Sequence, residues 1–185
     1  MKHSAKAIFL DRDGTLNPDP GYIDSPDKMA LLPNSGEGLK HLKKMGFLLV
    51  VTSNQSGVGR GLIELKTLPL INARLNELLK PFQVQIDHFE MCIHHPDKNC
   101  LCRKPEPGMI LNSSKALGIT VSESFMIGDR HSDLMAGRNA GCKASILVRT
   151  GDGKKTESTL HNSEAHFIAD DLLAAAQWIE TQLSS

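Results

Sequence analysis

The fold of this chain is indicated by one stretch near its start, Ala7-Ile8-Phe9-Leu10-Asp11-Arg12-Asp13-Gly14-Thr15. Its four apolar residues stop abruptly at a carboxylate, as they do where a buried parallel strand ends. The carboxylates of Asp11 and Asp13 could both face one hard cation, and Gly14 permits the sharp turn that this arrangement needs. Taken alone, the same residues could form a charged surface loop with a turn glycine.

Two other apolar runs end in polar residues in the same way. Residues 47–51 lead into Thr52-Ser53-Asn54-Gln55, and residues 125–127 lead into Gly128-Asp129. In open α/β sheets, ligands bind beyond the carboxyl ends of the strands. We therefore expect both polar clusters to meet Asp11 at one edge of a sheet.

The rest of the chain alternates strands with helices. Helical spacing covers residues 38–45, 70–79, 109–117, 134–140 and 172–183, and further strands are predicted at 84–92, 144–148 and 166–169. This alternation predicts an α/β fold in which a parallel sheet has helices on both faces. Because no repeat or linker interrupts the pattern, residues 1–185 are predicted to form a single domain, with a solvated loop at 151–155.

Charge and composition exclude several classes of function. The chain has 185 residues, with 21 Lys and Arg against 21 Asp and Glu. That balance argues against a nucleic-acid or membrane-surface protein, because both need a broad cationic face. No apolar run has the length of a signal peptide core or a membrane span, so we expect a soluble cytoplasmic protein.

The polar clusters contain the groups that phosphoryl transfer requires. Asp11 can act as an in-line nucleophile beside Mg²⁺, and Asp13 can protonate the leaving oxygen and later deprotonate a water molecule. Ser53 can donate to a phosphoryl oxygen, and Lys104 supplies a positive charge for the same group. Asp129 can complete an oxygen-rich Mg²⁺ site.

A second constellation is typical of structural zinc. Two pairs, each with one residue between its members, are formed by Cys92 and His94 and by Cys100 and Cys102. Three thiols and one imidazole make a closed tetrahedral Zn²⁺ site, with His95 as a possible substitute for His94. This zinc loop, residues 92–102, directly precedes Arg103 and Lys104, so a bound ion would hold both cations in place.

These motifs and their order resemble the haloacid dehalogenase superfamily of phosphohydrolases. The matching residues are Asp11-x-Asp13-Gly14-Thr15, Ser53, Lys104 and Gly128-Asp129 with Asp133. The resemblance implies a Rossmann-like fold, and it implies that Mg²⁺ is held by Asp11, Asp129 and the carbonyl of Asp13. Asp133 would orient Lys104 or a water molecule.

The zinc pairs followed by Arg103-Lys104 narrow the resemblance to the histidinol-phosphatase-like subfamily. For this chain the resemblance implies a reaction that removes the C7 phosphate of a heptose 1,7-bisphosphate during the synthesis of nucleotide-activated heptose. The substrate contacts that this resemblance assigns are Asp19, Gly21, Tyr22, Ser53, Asn54, Gln55, Ser56, Arg103, Lys104 and Arg130. Arg60 is a further candidate cation for the second phosphate.

Two alternatives stay open at this point. The first is a phosphatase for histidinol phosphate, which shares the nucleophile, the zinc loop and the Arg-Lys pair. The second belongs to another class, a catalytically silent sugar-phosphate-binding protein on the same fold. In each case the expected partner is a small phosphorylated metabolite, and a monomer is predicted.

Overall fold

The structure is a computed structural model that describes residues 5–161 and 164–183. Its sheet contains the strands β1 (Ala7–Leu10), β2 (Leu48–Asn54), β3 (His88–Cys92), β4 (Phe125–Gly128), β5 (Ala144–Val148) and β6 (Phe167–Ala169). All neighbouring strands are parallel, in the order β3-β2-β1-β4-β5-β6. The predicted parallel α/β sheet is therefore confirmed.

Helices connect the strands. They are α1 (Ser35–Lys44), α2 (Ser56–Gly59), α3 (Thr67–Leu79), α4 (Gly108–Leu117), α5 (His131–Ala140), α6 (Gly153–Glu157) and α7 (Leu172–Leu183). Short 3-10 turns lie at Pro26–Lys28, Lys80–Phe82, Pro96–Lys98 and Val121–Glu123. None of the helices in the described parts of the chain has both the length and the hydrophobicity needed to span a bilayer.

The apolar core has two parts, one on each face of the sheet. Along β1, Ile8 and Leu10 belong to the larger cluster, which also contains residues of α1, α3 and α7. Ala7 and Phe9 belong to the smaller cluster, which contains residues of α4 and α5. Because alternate side chains of a strand point to opposite faces, a strand buried on both sides is apolar throughout. Helices therefore cover both faces, as predicted.

The order of the strands determines where the polar clusters that follow them meet. The chain runs outward from β1 to β3, then returns to β4 on the other side of β1, so the order reverses between β1 and β4. Leu10 is in register with Val51 of β2 and with Ile127 of β4. The residues that follow these strands consequently emerge side by side at the topological switch point, where open sheets bind ligands.

Helices α1, α3 and α5 each begin three residues earlier than predicted, and two other predicted elements differ more clearly from those observed. The predicted strand 84–92 begins only at His88, since Ile86 N donates to Asn76 Oδ1 at 2.9 Å and the carboxylate of Asp87 accepts from Leu49 N at 2.8 Å. Side-chain hydrogen bonds thus replace part of the ladder at the sheet edge. The predicted solvated loop 151–155 is partly helical, because α6 begins at Gly153.

Candidate active site

Lys104 lies between two carboxylates at the centre of the site. Its Nζ is 2.6 Å from Asp11 Oδ1 and 2.7 Å from Asp133 Oδ1, and it donates to the carbonyl of Thr52 at 2.7 Å. Burial alone would lower the pKa of Lys104, but Asp11 and Asp133 raise it above its ordinary value. The ammonium therefore stays charged, and its ion pair with Asp133 fits one of the two roles predicted for that carboxylate, which were to orient Lys104 or a water molecule.

Three carboxylates converge beside this ammonium. Oxygen atoms of Asp11, Asp129 and Asp133 all lie within 4.8 Å of one another. Burial raises the pKa of Asp11 well above its ordinary range, and the neighbouring carboxylates raise it further against the opposing effect of Lys104. Burial, and next the charge of Asp133, raises the pKa of Asp129 to about 7.

The excess negative charge of the three carboxylates and the unpaired Oδ1 of Asp129 suit a divalent cation. Asp129 Oδ1 is buried and finds no hydrogen-bond partner among the described residues, while its Oδ2 accepts from Asp152 N at 2.8 Å. Buried carboxylate oxygens without a partner are rare unless a cation or water binds them. Asp133 is already engaged by Lys104 and by the amide of Arg130, so Asp11 and Asp129 are the side chains available to hold Mg²⁺.

Gly14 allows Asp129 to approach the loop after β1. Its φ is +94°, and a Cβ at this position would collide with the carboxylate of Asp129. The carbonyl of Gly14 also accepts from Thr150 Oγ1 at 2.7 Å, which ties the loop to the segment that follows β5. A glycine is required here both by the backbone conformation and by the close approach of a carboxylate.

The carboxylate of Asp13 is held by donors on all sides. Arg12 Nε and Nη2 donate to its two oxygens at 3.0 and 2.9 Å, Asn17 Nδ2 donates at 2.9 Å and Gln55 Nε2 at 2.8 Å. Burial alone would raise the pKa of Asp13, but the charge of Arg12 and these hydrogen bonds lower it. In the free protein Asp13 is therefore an ionised carboxylate of fixed orientation.

A cavity of about 400 Å³ opens in front of these groups. Of the predicted site residues it is lined by Asp11, Asp13, Asp19, Gly21, Tyr22, Ser53, Asn54, Gln55, Ser56, Arg103, Lys104 and Arg130. Among the described residues that line this cavity Arg60 does not occur, so its role as a further substrate cation stays a prediction. It is exposed at the end of α2, where its amide bonds back to Ser56, one turn away from the cavity.

Two predicted substrate ligands also hold protein groups. The side-chain amide of Asn54 donates to the carbonyl of Lys104 and accepts from its N–H, both at 3.1 Å. Gln55 Nε2 donates to Ser53 Oγ at 2.8 Å as well as to Asp13. These two amides consequently fix the positions of Lys104 and Asp13.

The predicted zinc ligands meet in one cluster. The Sγ of Cys102 lies 3.3 Å from Cys92 Sγ, 3.4 Å from Cys100 Sγ and 3.2 Å from His94 Nδ1. Ligands of tetrahedral zinc lie about 3.6–3.8 Å apart, given Zn–S and Zn–N bonds of about 2.3 and 2.0–2.1 Å. The cluster contains His94 and not His95, so the residues fit the predicted closed site.

The thiols of the cluster have pKa values that are shifted in opposite directions. Burial and the neighbouring thiols Cys92 and Cys100 raise the pKa of Cys102 to about 12. Burial would also raise the pKa of Cys100, but hydrogen bonds with Cys102 and Cys92 lower it to about 6. A divalent cation would offset the repulsion between thiolates that keeps the cluster partly protonated.

Sequence reasoning missed the segment after β5. Asp152 donates its N–H to Asp129, and Thr156 Oγ1 donates to the carbonyl of Asp129 at 2.8 Å. Ile23 and Ser132 also line the cavity without having been predicted. This segment could have been predicted from its position in the chain, because it follows the carboxyl end of β5, the neighbour of β4 at the switch point.

Fold and site together define a hydrolase of the haloacid dehalogenase type, and a family model described as HAD-hydrolase-like matches residues 101–175. The D-glycero-beta-D-manno-heptose-1,7-bisphosphate 7-phosphatase of Pasteurella multocida is 42% identical over 161 residues, covering 81% of this chain and 88% of the relative. The protein of that name from Helicobacter pylori strain J99 is 38% identical, covering 95% and 97%. The chain belongs to this family of heptose-bisphosphate phosphatases.

A solved structure agrees with this assignment. The D,D-heptose 1,7-bisphosphate phosphatase from B. bronchiseptica, complexed with magnesium and phosphate, superposes with a TM-score of 0.89 at 35% identity. The match covers 96% of this chain and 99% of that one. The fold is therefore shared along the whole length of that protein.

Proposed function

We propose that this chain is a Mg²⁺-dependent phosphatase that removes the C7 phosphate of D-glycero-D-manno-heptose 1,7-bisphosphate, in the synthesis of nucleotide-activated heptose. The observation that carries this proposal is the position of Lys104 between Asp11 and Asp133, beside the unpaired Oδ1 of Asp129. This arrangement offers a nucleophile, a cation for the phosphoryl oxygens and a vacant ligand for a metal. Its relatives and the magnesium-bound structure support the same assignment.

The proposed reaction has two steps. A carboxylate oxygen of Asp11 attacks phosphorus, the bond to the sugar oxygen breaks, and Asp13 gives a proton to that oxygen. Asp13 then takes a proton from water, whose oxygen attacks phosphorus and releases Asp11 and inorganic phosphate. Asp11, Asp129 and the carbonyl of Asp13 would hold Mg²⁺, and the bound ion would neutralise charge on the phosphoryl group. Ser53 and Lys104 bind its oxygens.

The substrate itself must change the protonation of Asp13. The pKa of this carboxyl is lowered in the free protein, which suits a base but not an acid. A dianionic phosphate next to Asp13 raises its pKa, because like charges disfavour ionisation. Substrate binding therefore converts Asp13 into the acid that the first step needs, and departure of the leaving group returns it to the base.

Cations near the cavity favour a bisphosphate. Arg103 Nη1 is buried without a hydrogen-bond partner, and Arg103 and Arg130 line the cavity together with Lys104. A guanidinium can bind a second phosphate in a bidentate contact, which an ammonium cannot. The non-reacting phosphate would anchor the sugar so that its C7 phosphate meets Asp11. Histidinol phosphate has no second phosphate to use these groups.

The remaining parts of the proposal concern the whole chain. The zinc loop is assigned a structural role, because its four ligands leave no open position for water. Three thiols in that loop need a reducing compartment to stay free for metal, so we assign the protein to the cytoplasm. Residues 1–185 act as one domain and as a monomer in this proposal.

A phosphate-release panel tests the function. With Mg²⁺ present, heptose 1,7-bisphosphate should give the highest kcat/KM, followed by fructose 1,6-bisphosphate and then histidinol phosphate. Asp11→Asn should abolish release from all three, because the nucleophile is lost. A preference for histidinol phosphate would overturn the substrate but not the reaction. Near wild-type release by Asp11→Asn would overturn the mechanism.

A further inference from the structure

Arg130 is held by two carboxylates through a single nitrogen. Its Nη2 lies 2.7 Å from Asp19 Oδ2, to which it donates a hydrogen bond, and 3.1 Å from Asp152 Oδ2. Within the described residues, the hydrogen bond to Asp19 is made by Nη2, and neither Nε nor Nη1 donates one. The backbone of Arg130 is fixed separately, because its N–H donates to Asp133 at 2.9 Å.

This arrangement obstructs bidentate binding of a phosphate. A guanidinium presents two edges for such a contact, one formed by Nε and Nη2 and the other by Nη1 and Nη2. Both edges include Nη2, the nitrogen that Asp19 and Asp152 flank. Asp19 accepts one N–H of Nη2, so a phosphate that binds the other edge of Arg130 in a bidentate contact meets the carboxylate of Asp152, which pairs with Nη2 by charge at 3.1 Å.

Of the two carboxylates that contact Arg130, Asp152 is the easier to displace. Asp19 is anchored, since its Oδ1 also accepts from Gly21 N at 2.8 Å and its side chain is only 20% exposed. The side chain of Asp152 is 51% exposed, its contact with Arg130 is longer, and it makes no capping hydrogen bond to α6. Its backbone is held independently of its side chain, because the N–H donates to the carboxylate of Asp129 and the carbonyl accepts from Thr156 N at 2.9 Å.

We infer that Asp152 is a specificity-determining residue whose carboxylate occupies, in the free protein, the edge of Arg130 that the non-reacting phosphate of a bisphosphate takes. This inference rests on the proposed function, because it needs a substrate with a second phosphate. Asp152 then opposes binding of that phosphate and has no part in the chemistry at Asp11. It sets the affinity for the bisphosphate and leaves the turnover rate unchanged.

The test is Asp152→Asn, which removes the charge and keeps the backbone N–H that holds Asp129. We expect KM for heptose 1,7-bisphosphate to fall about three- to fivefold, the effect of losing one partly exposed ion pair, with kcat unchanged. Heptose 7-phosphate lacks the second phosphate, so its KM or inhibition constant should not change. Asp170→Asn is the matched control, because it removes an exposed carboxylate that pairs with Arg149 elsewhere.

The outcomes separate this inference from the proposed function. An unchanged or raised KM for the bisphosphate in Asp152→Asn overturns the inference while the function stands. An equal fall for heptose 7-phosphate, or for Asp170→Asn, also overturns it, because the effect would be a general gain in positive charge. Failure of the wild-type protein to hydrolyse the bisphosphate overturns the function and the inference with it.

Discussion

Among individual residues, Gly14 shows how the absence of a Cβ can shape the proposed Mg²⁺ site. Its positive φ turns the loop after β1, and the space where a Cβ would lie is occupied by the carboxylate of Asp129. Lys104 and Asp133 act in the same region through charge, but Gly14 acts through its backbone conformation and through the missing Cβ. Asp11 and Asp129 can share a cation only because their loops approach this closely.

A substitution at Gly14 can separate the effect of its positive φ from the effect of its missing Cβ. Gly14→Ala should weaken Mg²⁺ binding about 10- to 100-fold, as expected when the surroundings of a ligand are displaced. Gly46→Ala is the control, since Gly46 also has a positive φ of +82° but open space around it. Both variants should lose about 1 kcal/mol of stability through backbone strain. Isothermal titration with Mg²⁺ makes the comparison, and equal losses of affinity would contradict this account of Gly14.

Among the elements, the zinc loop connects the proposed structural ion to Arg103 and Lys104, the cations that line the cavity. It begins at the end of the edge strand β3 and runs directly into Arg103 and Lys104. Asn54, at the end of β2, binds the backbone of Lys104 from the other side. The position of the lysine is therefore fixed by a strand end, by an ion pair with Asp11 and, in our proposal, by zinc.

Cys102→Ser should break this connection. We expect the zinc content to fall from about one ion per chain to well below one, and kcat/KM to fall about tenfold as Arg103 and Lys104 lose support. Cys142→Ser is the control, because Cys142 lies outside the cluster. Elemental analysis and Mg²⁺ titration are the measurements. Full zinc content in Cys102→Ser would exclude the assigned ligand set, and loss of Mg²⁺ binding would show that the two metal sites are not separate.

Across the whole molecule, charge is balanced in number but not in distribution. The formal net charge is zero, yet the carboxylates of Asp11, Asp13, Asp129 and Asp133 gather at one edge of the sheet. Lys104 and Arg12 only partly offset them. The free protein is consequently destabilised at the site where a divalent cation would bind.

This imbalance predicts how Mg²⁺ and pH act together on stability. The pKa of Asp129 in the metal-free fold, about 7, lies above its value in the unfolded chain, so the folded state holds a proton there up to pH 7. Its contribution to metal-free stability is therefore lost as pH rises through 7. Mg²⁺ needs the carboxylate, and below pH 7 its apparent affinity should fall about tenfold per pH unit.

Thermal unfolding with and without a fixed Mg²⁺ concentration measures the effect. The increase in Tm caused by Mg²⁺ should be clearly larger at pH 8 than at pH 6. In Asp129→Asn, which cannot titrate at this position, the increase should be small at both values. An increase in Tm that is the same at pH 6 and pH 8 in the wild-type protein would contradict the raised pKa of Asp129.

Local patterns determined the parallel sheet, its layers and the residues of the reacting centre. Apolar runs that stop at Asp11, Ser53 and Asp129 predict strand ends, because burial on both faces requires an unbroken apolar strand. The pairs Cys92/His94 and Cys100/Cys102 predict the metal cluster, because spacing within one loop fixes which side chains can meet. In each case the deciding interactions lie within a few residues along the chain.

Contacts between segments that are distant in sequence could be found only in the folded chain. Arg60 has the charge for a substrate ligand but lies one turn beyond the cavity, and Asp152 has no motif but lies against both Arg130 and Asp129. Val84 and Ile86 are buried as in a strand, although the N–H of Ile86 donates to the side chain of Asn76. Such outcomes depend on which loops meet across the switch point, and short-range spacing carries no information about that meeting.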